Sequence, residues 1–204
     1  MARKIGPKHK LCRTLGVKLC DSFKCPVTKR NYPPGQHGPR KMRTKLSNYG
    51  KQQREKQKAK FIYGLLERQF HTTFERARRL PGSTGTNLLV LLEKRLDNVV
   101  YRSGLATTKQ AARQLVNHGH FAVNGKNLDI PSYTVRVGDT IAVKETKRNS
   151  GYWKSVLENT KKTEIPGWLT VDPKALSIRI VSEPKPEELP QNIELSLIVE
   201  FYSR

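Results

Sequence analysis

Residues 108–126, TKQAARQLVNHGHFAVNGK, predict a short capped helix that runs into a tight β-hairpin. The hydroxyl of Thr107 or Thr108 can accept a hydrogen bond from an unpaired amide of the first helical turn. Gly119 stands where a helix ends in the left-handed conformation, and Asn124-Gly125 is a signal of a type I′ turn. Apolar residues recur at helical spacing and predict one buried stripe: Ala111, Ala112, Leu115 and Val116.

The same helix carries polar groups on a second face. Lys109, Arg113 and Asn117 recur every four residues and therefore lie on one side of the helix. Together with His118 and His120 they form a compact set of groups suited to gripping a phosphate backbone. The alternative is a solvated helix face, which is the usual fate of a charge cluster, but clustering within a basic chain favours nucleic-acid binding.

The charge of the whole chain points to a polyanionic partner. The 204 residues include 39 Lys and Arg against 17 Asp and Glu, a formal charge of +22. Residues 1–60 hold 18 of the basic and 2 of the acidic residues, which suits RNA or DNA. Residues 164–204 hold 4 basic and 7 acidic residues, which suits packing or a basic protein.

Membrane and secretory classes are not favoured. The start, MARKIGPKHK, has no apolar run after its charges, as a secretory signal would. No stretch approaches the roughly 18 apolar residues of a membrane span, and the basic start lacks the bulky apolar residues of a membrane-surface helix. We therefore expect a cytoplasmic protein.

Three cysteines near the start suggest a metal site. His9, Cys12, Cys20 and Cys25 have the spacing H-x2-C-x7-C-x4-C, and zinc takes four such nitrogen or sulfur ligands. Clustered cysteines in a cytosolic protein are more often metal ligands than disulfides. The alternatives are three unligated thiols, or His37 in place of His9 as the fourth ligand. One imidazole and three thiols make a closed set of four ligands, so a structural zinc is expected rather than a catalytic one.

The pattern along the chain predicts an α+β protein. A Gly- and Pro-rich basic arm, 1–48, is either a floppy tail or extended chain that orders against RNA. Helices are expected over 50–63, 65–79 and 87–103, and strands over 168–171 and 178–181. The alternating apolar residues of 195–202 predict a further strand. Two short strands with a turn at 137–139 should follow the hairpin, and 147–163 should be a polar helix or linker.

Several segments resemble the S-four family of bacterial small-subunit ribosomal proteins along essentially the whole chain. They are residues 3–7, YPPGQHG at 32–38, REKQK at 54–58, YGLLERQF at 63–70, RLDNVVYR at 95–102, ARQLV at 112–116, VNG at 123–125 and VEFYSR at 199–204. Their joint order is specific. The chain departs from the family's four-cysteine knuckle, because His9 stands where the first cysteine would be and the gap from Cys12 to Cys20 is short.

The resemblance implies domains and partners. It implies an arm with a zinc knuckle over 1–48, a helical domain over 49–93 completed by 177–204, the family's RNA-binding module over 94–157, and a connection over 158–176. It implies binding to a helix junction in the 5′ domain of small-subunit rRNA, nucleation of assembly, and an influence on translational accuracy. The implied neighbours are the S-five-type protein and mRNA where it enters the ribosome. Some members also repress translation of their own mRNA.

The expected RNA contacts are cationic, amide or aromatic side chains in three parts of the chain. In the arm they are Arg3, Lys8, Arg13, Arg30, Gln36, His37, Arg40 and Arg43. In the helical part they are Tyr49, Lys51, Arg54, Lys56, Gln57 and Lys58. In the module they are Arg95, Tyr101, Arg102, Lys109, Arg113, Asn117, His118, His120 and Lys126.

Some of these residues have structural alternatives. Arg95 with Asp97 can form a helix-surface ion pair. Tyr101 can belong to the core, since tyrosine is intermediate in burial. His118 and His120 flank a helix end, where the dipole also favours a cation.

Two other functional classes fit less well. An RNA-modifying enzyme can carry the same small module, as pseudouridine synthases do, but it needs a large catalytic domain with an active-site Asp. The sequence has no Gly-rich phosphate loop or nucleophile elbow, so we expect no catalytic residues and no small-molecule substrate. A DNA-binding regulator would need a helix-turn-helix reading head, which is not evident.

Overall fold

The structure, a computed structural model, describes residues 6–20, 22–42, 45–159 and 165–203. The chain divides into two compact units. The first comprises Met1–Gly85 and Gln191–Arg204, and the second comprises Thr86–Pro190.

The first unit is helical within the described residues. Its helices are α1 (Lys8–Leu15), α2 (Gly38–Met42), α3 (Asn48–Ile62), α4 (Glu67–Arg78) and α10 (Leu195–Tyr202), with a 3-10 turn at Pro26–Thr28. Helix α5 (Thr84–Glu93) begins at the end of this unit. Helices α3 and α10 pack together, and Ser47 caps α3 by accepting from the amide of Gly50 at 3.2 Å.

The second unit combines helices with an antiparallel sheet. Its helices are α6 (Leu96–Arg102), α7 (Lys109–Asn117), α8 (Glu145–Arg148) and α9 (Gly151–Asn159). Its strands are β1 (Phe121–Val123), β2 (Lys126–Leu128), β3 (Thr140–Val143), β4 (Leu169–Asp172) and β5 (Ser177–Ile180). The five strands take the order β2-β1-β3-β5-β4 with every pair antiparallel. The predicted α+β class is confirmed.

A large hydrophobic core lies in the second unit. Trp153, Phe121 and Ile141 are fully buried in it, and the rings of Trp153 and Phe121 meet edge to face at 5.8 Å. Trp168, on the loop that enters β4, is 2% exposed and belongs to the same cluster. Both tryptophans of the chain therefore report on this unit.

The predicted helix and hairpin at 108–126 are confirmed. Thr108, not Thr107, caps α7 by accepting from the amide of Ala111 at 3.1 Å. Gly119 follows the helix with φ of 65°. Asn124 and Gly125 have φ of 50° and 78°, which matches the positive values of a type I′ turn.

Two expected elements differ in the structure. The helix expected over 87–103 is two helices, because the backbone at 94–97 pairs with 131–135: Leu96 donates to Tyr133 at 2.8 Å and Val135 donates to Lys94 at 2.9 Å. The strand expected over 195–202 is helix α10. That segment is apolar at nearly every position, so its period-2 pattern also contains a helical face, in which Ile198 is fully buried.

Three smaller departures concern boundaries. Helices α1 and α2 occupy parts of the arm expected to be irregular. Between β2 and β3 the chain forms a single bridge, Thr134 with Arg95, instead of a second strand. The segment 177–204 divides between the units, because Ile178 of β5 pairs with Ile141 of β3 whereas residues 191–204 belong to the helical unit.

Candidate nucleic-acid interface and metal cluster

Three of the four metal-ligand candidates of the arm come together. His9 lies on α1, and its Nδ1 is 3.7 Å from the Sγ of Cys20. The ligand atoms of His9, Cys20 and Cys25 all lie within 4.8 Å of one another. Cys12, one turn after His9, lies outside this group of ligand atoms: it is fully buried and packs with Cys25 in the core of the arm, and its Sγ accepts a hydrogen bond from the amide of Leu19 at 3.4 Å. The exposed His37 is not in this group of described residues.

The cluster has dimensions that suit a tetrahedral metal. With a Zn–S bond of about 2.3 Å and a Zn–N bond of about 2.0–2.1 Å, a sulfur and a nitrogen ligand stand about 3.6 Å apart. The 3.7 Å between His9 and Cys20 is close to that separation. His9, Cys20 and Cys25 supply three of the four ligands that zinc takes, and the neighbouring thiol of Cys12 would complete a donor set that zinc accepts, so the residues fit the group.

The thiols differ in acidity. Burial would raise the pKa of Cys25, but hydrogen bonds from the Val27 amide, Cys20, His9 and Cys12 outweigh it and lower that pKa to about 7. Burial and the hydrogen bond to Cys25 raise the pKa of Cys20 to about 11. Thiolate is the form that binds metal, so Cys25 can supply the first anionic ligand near neutral pH.

Arg13 links helix α1 to a later segment of the arm. Arg13 donates from Nε to the carbonyl of Tyr32 at 3.0 Å and from Nη2 to that of Pro33 at 3.4 Å, and its guanidinium lies 4.9 Å from the centre of the Tyr32 ring. At Gly38 an added Cβ would lie 2.0 Å from the Pro33 carbonyl oxygen, so only glycine fits. Lys8, Arg30, Gln36, His37 and Arg40 are exposed.

The predicted RNA contacts on helix α3 differ in solvent exposure. Lys51 is exposed, and Arg54, Gln57 and Lys58 are partly exposed. Lys56 is 5% exposed, with its Nζ 2.6 Å from Glu67 and 4.3 Å from the centre of the Phe201 ring. Tyr49 is 48% exposed and lies 5.7 Å from the Phe201 ring. Lys56 therefore serves the packing of the helical unit.

The carboxylate of Glu67, which pairs with Lys56, accepts hydrogen bonds from three side chains. Burial would raise the pKa of Glu67, but hydrogen bonds from Lys56, Lys60 and Tyr202 outweigh it and lower that pKa to about 2. The three donors stand at 2.6, 2.8 and 2.9 Å. Because this acid joins α3, α4 and α10, it is a structural node of the helical unit.

Three predicted arginine contacts of the second unit lie in internal ion pairs. Arg95 is 5% exposed and donates two hydrogen bonds to Asp97 at 2.8 and 3.1 Å. Arg113 reaches the same carboxylate at 3.4 Å. Arg102 donates to Glu93 at 2.9 and 3.0 Å while keeping 29% of its side chain exposed. The predicted surface pair of Arg95 and Asp97 is thus a buried pair.

The remaining predicted contacts of this unit reach solvent. Asn117, His118 and Lys126 are exposed. Lys109 is half-buried, with its Nζ 5.3 Å from the centre of the Tyr101 ring, and that ring in turn packs against the core. Arg3 and Arg43 lie outside the described residues.

Lys144 and Lys147 lie close to His120 and were not among the predicted RNA contacts. Burial, followed by the charges of Lys147, His118 and Lys144, lowers the pKa of His120. The amide of Lys144 donates to the His120 carbonyl at 3.0 Å, and β1 pairs Phe121 with Val143 of β3. Recognising that β1–β3 register would have placed Lys144 next to His120; the two are 24 positions apart in the sequence.

Comparisons with known proteins identify family and relatives. Residues 3–93 match the family model "Ribosomal protein S4/S9 N-terminal domain", and residues 94–141 match the "S4 domain". The chain is 53% identical to the small ribosomal subunit protein uS4 of Roseiflexus castenholzii over 100% of both chains. It is 52% identical to that of Chloroflexus aurantiacus and 49% identical to that of Clostridioides difficile, again over the full length of each.

These names agree with the expectation that the chain has no catalytic activity. Each of these relatives is named as a ribosomal protein and not as an enzyme. None of the described helices combines the length and the apolar character that crossing a membrane requires.

Proposed function

The chain belongs to the S-four family of small-subunit ribosomal proteins and is not an enzyme, and we propose that it binds small-subunit rRNA on the ribosome in the cytoplasm. The observation that carries the proposal is the excess of basic over acidic residues in the first unit. The first unit holds 23 Lys and Arg against 6 Asp and Glu, a balance of +17. Such an excess is stabilised by a polyanion and not by the protein itself.

The proposed interface contains the predicted residues that reach solvent. In the first unit these are Lys8, Arg30, Gln36, His37, Arg40, Tyr49, Lys51, Arg54, Gln57 and Lys58. In the second unit they are Arg102, Lys109, Asn117, His118, His120 and Lys126, joined by Lys144 and Lys147. We leave out Lys56 and Arg95, because breaking a buried pair to reach a phosphate would leave its acid uncompensated. Arg13, Tyr101 and Arg113 are proposed to position this surface.

Recognition follows from the chemistry of folded RNA. A-form helices hide their base edges in a deep, narrow groove, so contacts go to phosphates, to 2′-hydroxyls and to unpaired bases. Because each unit carries its own cations, the protein can hold more than one RNA helix. That capacity favours a helix junction as the target, and we propose the junction in the 5′ domain.

The finer roles follow from holding a junction. A protein that fixes the helices of a junction limits their movement and can thereby nucleate assembly of the subunit. Contacts with the S-five-type neighbour and with mRNA where it enters the ribosome are proposed from family membership. An influence on translational accuracy and repression of its own mRNA are proposed on the same basis.

We also propose that the arm holds a structural zinc ion through His9, Cys12, Cys20 and Cys25. The fit of the cluster supports the proposal, and when bound the ion supplies a crosslink whose binding free energy stabilises the folded arm. Elemental analysis should find about one zinc per chain. Cys25→Ser should lose it and His37→Gln should keep it. Zinc retained by the first variant or lost from the second would contradict this ligand set.

Titration with rRNA tests the main proposal. Purified protein should bind a fragment containing the 5′-domain junction in the presence of excess tRNA, with an affinity that falls steeply as salt rises. Lys126→Ala, in the exposed hairpin, should reduce the salt slope by about 1. Lys174→Ala, equally exposed on the turn between β4 and β5, is the matched control and should leave the slope unchanged. Binding abolished by tRNA would contradict the proposal.

A further inference from the structure

Phe23 is the most exposed large apolar side chain among the described residues. It is 94% exposed, whereas the next, Val181, is 54% exposed. Phe23 and Lys24 form a turn in the short loop between Cys20 and Cys25. A phenyl ring gains free energy when it leaves water, so a ring held almost entirely in solvent is available for contact with a partner.

The ring lies on a short loop between two of the candidate ligands. Four residues separate Cys20 from Cys25, and the thiols at both ends are held in the metal-ligand cluster. Cys25 is 2% exposed and packs with Cys12 and Val27 in a small core of the arm. Phe23 is not among the residues of that core, and its ring lies on the surface.

The surroundings of the ring favour RNA over protein. Lys18, Lys24, Lys29 and Arg30 are all exposed on the same short stretch, and Asp21 is the one acid in the first 54 residues of the sequence. Surfaces that hold single-stranded nucleic acid combine cations with an aromatic ring on which a base stacks. Protein interfaces are instead depleted in lysine.

We infer that Phe23 stacks on an unpaired base of the bound RNA. The inference rests on the proposed function and adds to it a specific contact. In this contact the loop between the candidate ligands Cys20 and Cys25 presents the ring of Phe23 to the RNA. Every base has a π face, so the contact contributes affinity while tolerating different bases.

Three substitutions at one position test the inference. Affinity for the rRNA fragment should fall about 5- to 150-fold in Phe23→Ala, the range expected for losing one stacked base. Phe23→Trp should bind as well as the original protein, and Phe23→Leu should lose most of what Phe23→Ala loses, because it keeps apolar area but not a flat ring. The salt slope should stay the same in all three, since no phosphate contact is removed. Val181→Ala is the matched control for an exposed apolar side chain.

The outcomes separate this inference from the proposed function. If the original protein binds the fragment over tRNA and Phe23→Ala binds equally well, the stacking contact is wrong and the rRNA proposal stands. If Phe23→Leu retains full affinity, or if Phe23→Ala loses only a protein neighbour in reconstituted subunits, the ring makes an apolar contact and stacking is overturned. If the original protein does not outcompete tRNA, the proposed function itself fails. Equal zinc content in all the variants shows that the cluster is intact.

Discussion

Asp97 pairs with two arginines inside the second unit, and replacing it should lower the free energy of unfolding of that unit. Its side chain is 8% exposed, and it pairs with Arg95 at 2.8 Å and with Arg113 at 3.4 Å. The side chains of the two arginines are 7% and 11% exposed, so both are largely shielded from bulk water. Asp97→Ala therefore removes the carboxylate that the buried Arg95 and the partly buried Arg113 share.

The magnitude follows from the burial. Breaking a buried ion pair by removing one partner costs about 3–5 kcal/mol, because an uncompensated charge stays behind. The ion pair of Lys94 with Glu183 at 2.7 Å lies in the same unit, but its acid is 64% exposed. Such exposed pairs contribute about 0–1 kcal/mol. Glu183→Ala is therefore the matched control.

Tryptophan fluorescence during urea unfolding measures this difference directly. Both tryptophans lie in the core of the second unit, so the signal follows that unit alone. We expect Asp97→Ala to lower the free energy of unfolding by about 3–5 kcal/mol, or about two to three and a half powers of ten in the equilibrium constant. Glu183→Ala should lower it by less than about 1 kcal/mol.

Two results would refute this reasoning. A loss below about 1 kcal/mol in Asp97→Ala would mean that water compensates the arginines and that the pair is not buried in solution. Equal losses in Asp97→Ala and Glu183→Ala would mean that burial does not decide the strength of these pairs.

Three further perturbations test local features. Asn124→Ala should destabilise the second unit by about 2–4 kcal/mol in the same urea assay. The variant loses the hydrogen bond that Asn124 donates to Asp139 and the one that it accepts from the Thr140 amide, and it must keep a φ of 50°. Asn124→Gly should lose less stability, because glycine tolerates that φ. The pKa of Glu67 lies at about 2 against an ordinary 4.5, so its stabilisation is complete above pH 4.5 and is lost as the pH falls toward 2. Far-UV circular dichroism should show less acid sensitivity in Glu67→Gln over that range, and an unchanged acid transition would contradict the assignment. The pKa of His120 is lowered from 6.5, so the stability of the second unit should fall as the pH drops below 6.5. His120→Gln should reduce that fall. Urea unfolding of both proteins at about pH 7.5 and 5.5 measures the difference.

Local chemistry determined the parts of the fold that were predicted correctly. The cap at Thr108, the glycine after α7 and the Asn124-Gly125 turn each act within a few residues, so the sequence pattern suffices. The expected strand at 195–202 failed because nearly uniform apolar character does not distinguish a period of 2 from one of 3.6. The break at Arg95 was missed because its cause, the pairing of 94–97 with 131–135, lies more than 30 positions away in the sequence.

The site shows the same division between local and long-range causes. The spacing of His9, Cys20 and Cys25 predicted ligands that the structure brings together. The exposure of cations was not predictable in the same way, because it depends on distant acids. Lys56 finds Glu67 eleven positions later, and Arg113 finds Asp97 sixteen positions earlier. A basic residue in a basic stretch is therefore a candidate contact until its acid partner is located.

Hydroxyl-radical footprinting of small-subunit rRNA, with and without the protein, tests the central claim most directly. The account predicts protection of backbone sugars at a helix junction of the 5′ domain, and Lys126→Ala should weaken part of that protection while Lys174→Ala leaves it intact. Protection spread evenly over the RNA, or absent from the junction, would contradict the account.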